Sequence, residues 1–351
     1  MSTWKKLTRM RLFLPIFSMF LVMLINVFYD IASGNLPFNF FIITIKNGVL
    51  YGRLIDVLNR GSEVAILAIG MTLVVSASAG TDISVGSLMS LYAGVCCMVL
   101  AGYGEVNVSV YKHPLLLGIG AGLLVCTCCG MLNGFFVAYL NIQPMVATLI
   151  LWSAGRAVGL LLCNSQIVYV RVPSFQKLGA YTGIIPTPII VAAICIAIAA
   201  LILRMTALGT YIQSVGINKK ASRISGFNSA KIILLCYAIS GLCAGLAGMV
   251  ATSRIYSADT NNIGLNMEMD AILSVAIGGN SLGGGRFSLA GSIIGAYTIQ
   301  AITTTLYALG VSSAQAPVFK SLVIILIVVI QSEPVKARFR KKGSRKEVRT
   351  A

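Results

Sequence analysis

The sequence is poor in charged residues, and poorest in acidic ones. Only 11% of its 351 residues are charged, with 10 Asp and Glu against 27 Lys and Arg, while 57% are hydrophobic. The mean hydropathy is +0.88. This composition is too apolar for a soluble globular domain. Because apolar runs of about 18 to 25 residues recur from end to end, we predict an all-α, polytopic membrane protein.

The side chains that usually support catalysis or metal binding are also scarce. The single histidine, His113, lies in the hydrophilic stretch YGEVNVSVYKHP, which argues against a histidine-based metal or acid–base site. The nine cysteines lie in apolar segments without histidine or acidic partners, so we interpret them as packing residues. We therefore predict that the chain is not an enzyme.

A nucleotide-binding loop is missing as well. The stretch GGNSLGGGRFS at residues 278–288 lacks the lysine of a G-x-x-x-x-G-K-[ST] motif and the soluble strand that precedes one. We interpret it as a tight connection between helices and predict no cofactor for this chain. If ATP drives its function, another polypeptide binds the ATP.

About ten membrane helices are predicted in a domain covering residues 12–331. The segment at 268–280 is short for a full crossing and is compatible with a re-entrant segment. Residues 1–11 form an N-terminal segment and residues 332–351 a basic tail. The predicted helices are 12–29, 54–77, 83–102, 114–139, 144–163, 185–204, 231–253, 268–280, 287–309 and 317–331.

The basic residues predict the orientation. Four lie in the N-terminal segment, five in or beside the loop at 205–230, and eight in the tail. Even numbers of spans separate these clusters, so the positive-inside rule places all three, and both termini, in the cytoplasm. The net charge of +17 then reflects topology and not nucleic-acid binding, although the tail can also contact anionic membrane lipid.

A polar interruption, SAGTDISVGS, separates the second and third predicted helices. Thr81, Asp82 and Ser84 can cap the following helix, where a carboxylate also complements the helix dipole. Gly80 and Gly86 allow a turn and close packing. A capped bend is one interpretation; a second, compatible with it, is that the interruption lines the translocation path or holds its gate.

A weak internal repeat accompanies this break. DVLNRGSEVAILAIG at residues 56–70 is echoed by NMEMDAILSVAIG at 266–278, and each copy leads through a glycine-rich break into another apolar helix. Repeated halves with interrupted helices are frequent in transporters.

Several segments resemble one family of transport proteins. GTDISVGS is similar to the G-I-D-L-S-V-G-S signature of ribose-type sugar permeases, the membrane subunits of ATP-binding-cassette importers, with Thr81 in place of a common isoleucine. The resemblance continues through NGFFVAYLNIQPMVATLILW, TALGTYIQSVGINKKASRISGFN and MDAILSVAIGGNSLGGGRFSLAGSIIGA. YGRLIDVLNRGSEVAILAIGMTLV and SADTNNIGLNMEMDAIL look most like galactofuranose permeases.

The resemblance implies a type II importer fold with about ten helices in each of two permease subunits, identical or different. It also implies ATPase subunits in the cytoplasm, a periplasmic sugar-binding protein and a bacterial inner-membrane location. The loop at 205–230 would then dock on the ATPase through a short helix. The residues assigned to this coupling role are Gly216, Asn218, Ala221, Ser222, Arg223 and Gly226. Gly216 and Gly226 would permit the turns that bound the short helix.

Three polar residues at membrane depth are candidates for the pathway itself, because amides and hydroxyls bind neutral sugars through hydrogen bonds. They are Asn141, Gln143 and Thr148. The alternative function is an ion-coupled carrier or facilitator for a small polar solute, in which Asp82 or Asp270 handles the ion. A membrane-bound enzyme is a more distant alternative.

Overall fold

The computed structural model describes residues 12–32, 39–46, 48–312 and 314–331. Within these ranges the chain forms thirteen α-helices, and a helix occupies each of the ten predicted segments. The N-terminal basic residues and the basic tail lie outside the described residues. The helices are α1 Phe13–Ala32, α2 Arg53–Ser78, α3 Val85–Ala101, α4 Leu115–Ala138, α5 Pro144–Leu162, α6 Pro173–Gly179, α7 Thr187–Met205, α8 Leu208–Ile217, α9 Lys219–Ile224, α10 Ser229–Ile255, α11 Met267–Ile277, α12 Leu289–Ala308 and α13 Ala316–Gln331.

Six of the described helices are long and apolar enough to cross a membrane: α2, α4, α5, α7, α10 and α12. Shorter apolar stretches lie in α1 and α3. With 11 residues, α11 reaches only about 16 Å, roughly half of a 30 Å hydrocarbon core, so the segment predicted at 268–280 does not cross as a helix. The chain is a mostly helical, polytopic membrane protein, and the total of ten spans stays a prediction.

Helix α2 forms the centre of the molecule, and its apolar stretch is entirely buried. Glycines let its neighbours approach closely. The Gly70 backbone lies against Ser240 of α10, and a Cβ at Gly61 would lie 2.7 Å from the Tyr297 ring of α12. Such small residues let helix backbones pack closely. Close packing matters in a membrane because the lipid tails are as apolar as the side chains, so no hydrophobic force drives the helices together.

Short strands gather several loops at one side of the helices. Strand β3 pairs in parallel with β4, and β4 pairs antiparallel with β7, so the connections that follow α3, α5 and α10 share this side. The hairpins β1–β2 and β5–β6 are joined there by a 3.1 Å hydrogen bond from Leu50 N to Ile184 O. The strands are β1 Thr44–Lys46, β2 Val49–Tyr51, β3 Asn107–Val108, β4 Val168–Val170, β5 Tyr181–Thr182, β6 Ile185–Pro186 and β7 Ser257–Ala258.

The two copies of the sequence repeat lie in helices of different length. The first lies inside α2, whereas the second accounts for all of α11. Each is followed by a non-helical connection, residues 79–84 after α2 and the glycine-rich loop 278–288 after α11. The glycine-rich loop meets the end of α2 and the start of the first connection: Gly285 N donates a 3.0 Å hydrogen bond to the Ser76 carbonyl, and the Gly284 backbone packs against Ala79.

Candidate functional site

The break between α2 and α3, residues 79–84, begins with a left-handed residue. Ala79 has φ 55° and donates its backbone N–H to Val75 O at 3.1 Å, which ends α2. Ala79, and not Gly80, adopts the left-handed conformation of this turn. Gly80 provides the close packing that is also predicted for it: a Cβ there would lie 2.5 Å from two ring carbons of Pro144.

Asp82 is the polar centre of the break and is fully buried. Its Oδ1 atom accepts hydrogen bonds from Ser84 N at 3.0 Å and Ser84 Oγ at 2.6 Å, while Oδ2 accepts one from Ser240 Oγ at 2.9 Å. The Ser84 hydroxyl in turn accepts a 2.9 Å hydrogen bond from Asn133 Nδ2. Through these contacts the carboxylate joins the break to α4 and α10.

The predicted capping arrangement is corrected in its details. Ser84 occupies the N-cap position of α3, but its side chain caps no helix N–H and donates to Asp82 instead. Asp82 forms an Asx turn ahead of the helix by accepting the Ser84 N–H. Thr81 is half-buried beside it. A Cβ at Gly86 would collide with the Glu268 carboxylate and the Gly264 carbonyl, so this glycine serves close packing.

The three pathway candidates occupy different environments. Thr148 is fully buried; its hydroxyl accepts the Ile83 N–H at 3.2 Å and donates to Pro144 O at 3.0 Å. Thr148 therefore holds α5 against the break and is not available to a solute in this conformation. Asn141, with φ 52°, and Gln143 are exposed in the connection before α5.

The predicted coupling segment contains two helices, α8 and α9, where the sequence predicts one short helix. Asn218 caps α9, because its side chain accepts a 3.0 Å hydrogen bond from Ala221 N. Gly226 follows α9 with φ +86°. Gly226 N donates to Arg223 O at 3.1 Å and Phe227 N to Ser222 O at 3.0 Å, a Schellman ending.

The outer surface of α9 is small and basic. Ala221 and Arg223 are exposed, whereas Ser222 is 4% exposed and faces the protein. Ser222 is the only buried residue of the six in α9, so nearly the whole surface of this helix is free on the side of the molecule opposite the strands.

Gly216 does not make the turn predicted for it. It lies inside α8, and a Cβ at this position would collide with the Ser76 carbonyl and come within 2.6 Å of Gly285 N. Gly284, with φ +85°, packs its backbone against Ala79 and the Gly216 carbonyl. Helix α8, the end of α2 and the glycine-rich loop therefore meet backbone to backbone at the edge of the break.

The carboxylates suggested for ion coupling are both engaged by protein groups. The Asp270 carboxylate forms a 2.5 Å ion pair with Lys320 of α13. The Asp82 oxygens accept the three hydrogen bonds described above. A monovalent ion would have to displace these donors, so the geometry gives no support to ion handling.

Comparison with known proteins places the chain in a family. The model of the family described as branched-chain amino acid transport system / permease component matches residues 53–330, and the chain belongs to this family. It is 42% identical over 297 residues to the galactofuranose transporter permease protein of Escherichia coli (strain K12), covering 84% of each chain.

Two further relatives are similar over comparable lengths. The fructose import permease protein of Bifidobacterium longum (strain NCC 2705) is 37% identical over 295 residues, 83% of this chain and 80% of the relative. The ribose import permease protein of Escherichia coli (strain K12) is 35% identical over 300 residues, 84% of this chain and 88% of the relative. The chain is thus a membrane permease, and the resemblance noted in the sequence is confirmed.

Proposed function

We propose that this chain is the permease subunit of an ATP-binding-cassette importer that moves a monosaccharide into the cytoplasm. The observation that carries the proposal is its similarity, over more than four-fifths of its length, to permeases of galactofuranose, fructose and ribose. Separate ATPase subunits supply the energy. A periplasmic binding protein delivers the sugar, and a second permease completes the pathway in the bacterial inner membrane.

The contacts of α8 and α9 support the coupling part of this proposal. Helix α9 presents an exposed Ala221, small enough to enter a groove on a soluble partner. Helix α8 contacts the end of α2 through Gly216, immediately before the break. Movement of a docked ATPase would thus reach the break through backbone contacts, without a flexible side chain between them.

Galactofuranose is the proposed sugar, because the identity of 42% with a galactofuranose permease exceeds the 37% and 35% with the fructose and ribose permeases. The test is to measure which sugar the associated binding protein binds, using galactofuranose, fructose and ribose side by side. Tight binding of only ribose or fructose contradicts this assignment and leaves the importer mechanism standing.

Co-purification tests the subunit composition. The permease, its ATPase and its binding protein are expressed together, and the permease is purified in detergent through an affinity tag. We expect the ATPase to elute with the permease in a fixed ratio. A permease that purifies without an ATPase and still transports sugar contradicts the proposal and indicates a self-contained carrier.

A further inference from the structure

A non-helical segment, residues 259–266, enters the helix bundle from the side that carries the strands. Ser90 Oγ donates a 2.6 Å hydrogen bond to Thr260 O, and Gly264 lies against the Gly86 carbonyl. Ser90 and Gly86 precede the end of α3 at Ala101 by about 16 and 22 Å at 1.5 Å per residue. The segment therefore runs deep between the membrane helices before α11 begins.

Non-helical backbone at this depth is tolerated only where protein covers it or where it lines a water-filled cavity. Here Asn261, Asn262 and Asn266 are exposed. Amide side chains facing lipid would be costly, because hydrocarbon offers them no hydrogen-bond partner. Their exposure indicates that this part of the segment borders water.

Helix α5 supplies an aromatic and a cationic side chain next to these amides. Trp152 is 38% exposed, and Arg156, one turn further along, is half-buried. Arg156 Nη1 donates to Thr260 O at 2.7 Å and to Asn261 O at 2.8 Å. Both bonds use one nitrogen, and a guanidinium carries further N–H donors on Nε and Nη2.

Glu268 holds the indole ring of Trp152 in place. Its Oε1 atom accepts a 3.1 Å hydrogen bond from Trp152 Nε1, and the residue is only 4% exposed. The ion pairs found among the described residues do not include Glu268, and its buried Oε2 has no hydrogen-bond partner there. The Arg156 guanidinium attracts this carboxylate without forming a direct ion pair with it. A carboxylate buried at membrane depth is costly, and this one orients the ring of Trp152.

We propose that Trp152, Arg156 and Asn261 form a monosaccharide-binding subsite on the translocation pathway, with Glu268 as a positioning residue. The inference rests on the proposed function and adds the place where the permease itself holds the sugar. An indole face packs against the C–H groups of a sugar ring, while amide and guanidinium groups bond its hydroxyls. A neutral, polyhydroxylated solute fits this combination of groups, and the partly exposed Asp259 at the start of the segment adds an acceptor for sugar hydroxyls.

The sequence offers a direct probe of this subsite. It contains two tryptophans, Trp4 and Trp152, so the full-length Trp4→Phe variant has Trp152 as its sole tryptophan. This variant is placed in lipid nanodiscs and titrated with galactofuranose, fructose and ribose, and the indole emission is recorded. We expect a saturable change in emission with the sugar that the complete importer transports, and none with a disaccharide such as sucrose.

Two substitutions in this background test the roles. Asn261→Ala should raise the half-saturating sugar concentration roughly two- to tenfold, the effect of one neutral hydrogen bond. Glu268→Gln should raise it as well, because a neutral acceptor holds the indole less firmly, and in uptake assays it should raise KM with little change in kcat. Gln166→Ala, an exposed amide in the connection after α5, is the control and should behave as the parent.

The outcomes separate this inference from the function on which it rests. If the Trp152 emission does not change with a sugar that the complex imports, the subsite proposal is overturned and the importer proposal remains intact. If adding the second permease changes the Trp152 emission and adding sugar does not, the surface around Trp152, Arg156 and Asn261 is a subunit contact, which also overturns the subsite. An importer that moves no monosaccharide at all contradicts the proposed function itself.

Discussion

Replacing Asp82 separates the architecture of the break from the charge that it contains. The carboxylate accepts the Ser84 N–H, the Ser84 hydroxyl and the Ser240 hydroxyl. In Asp82→Asn, the amide oxygen keeps both bonds from Ser84. Its NH₂ group takes the place of Oδ2, and the Ser240 hydroxyl can rotate to accept from it. All three contacts therefore survive in the Asn variant.

Asp82→Ala removes every acceptor. The buried Ser84 N–H is then left without a partner, at a cost of about 1–3 kcal/mol. The two hydroxyls can turn to backbone carbonyls, as serines in helices commonly do, and lose about 1 kcal/mol between them. We expect the Ala variant to be destabilised by about 2–4 kcal/mol and the Asn variant by about 1 kcal/mol or less.

The assay is the denaturation midpoint of the purified permease in detergent, followed by sugar uptake at matched membrane abundance. Ser240→Ala removes one of the three bonds and should fall between the wild type and Asp82→Ala. Thr81→Ala, at the half-buried neighbouring position, is the control. Equal loss of uptake in the Asn and Ala variants refutes this reasoning, and indicates that the negative charge itself acts in gating.

The other perturbations test coupling and topology. Ala221→Trp adds bulk to the exposed surface of α9, and Ser222→Pro removes the 3.0 Å hydrogen bond from Ser222 N to Asn218 O. Both variants should lower sugar-stimulated ATP hydrolysis in the reconstituted complex and still insert into the membrane. Normal stimulation in both would place the coupling site elsewhere. Arg223→Glu should weaken co-purification of the ATPase in a salt-dependent manner if charge steers docking. Gly216→Ala should uncouple hydrolysis from uptake because its Cβ would collide with the Ser76 carbonyl, whereas Gly209→Ala, whose Cβ would meet its nearest neighbour at 3.5 Å, should not. Reporter fusions at the N and C termini should both report the cytoplasm, and a periplasmic signal from either would overturn the orientation.

Helix positions could be predicted from the sequence because each apolar run is bounded by polar residues, glycine or proline. The run at 268–280 is predicted to be short for a full crossing, and its helix has 11 residues. The non-helical stretch 259–266 before it could not be predicted to run between the membrane helices, because hydropathy does not show which helices enclose a polar connection.

The candidate site was predictable in its residue types but not in its contacts. The sequence indicates that Asp82 sits at a break, yet its partner Ser240 is 158 positions away and is one of many serines in apolar segments. The turn predicted at Gly216 is wrong because a glycine signals either a special backbone conformation or a close approach, and the sequence does not say which. Gly216, like Gly80, is a position of close approach.

The dependence of sugar uptake on ATP tests the central claim most directly. The permease, its ATPase and the second permease are reconstituted into proteoliposomes, with the sugar-bound binding protein outside and ATP trapped at the ATPase side. Our account predicts uptake that requires both ATP and the binding protein, and that stops when the ATPase is inactivated. Uptake by the permease alone, driven by an ion gradient in the absence of ATP, would contradict it.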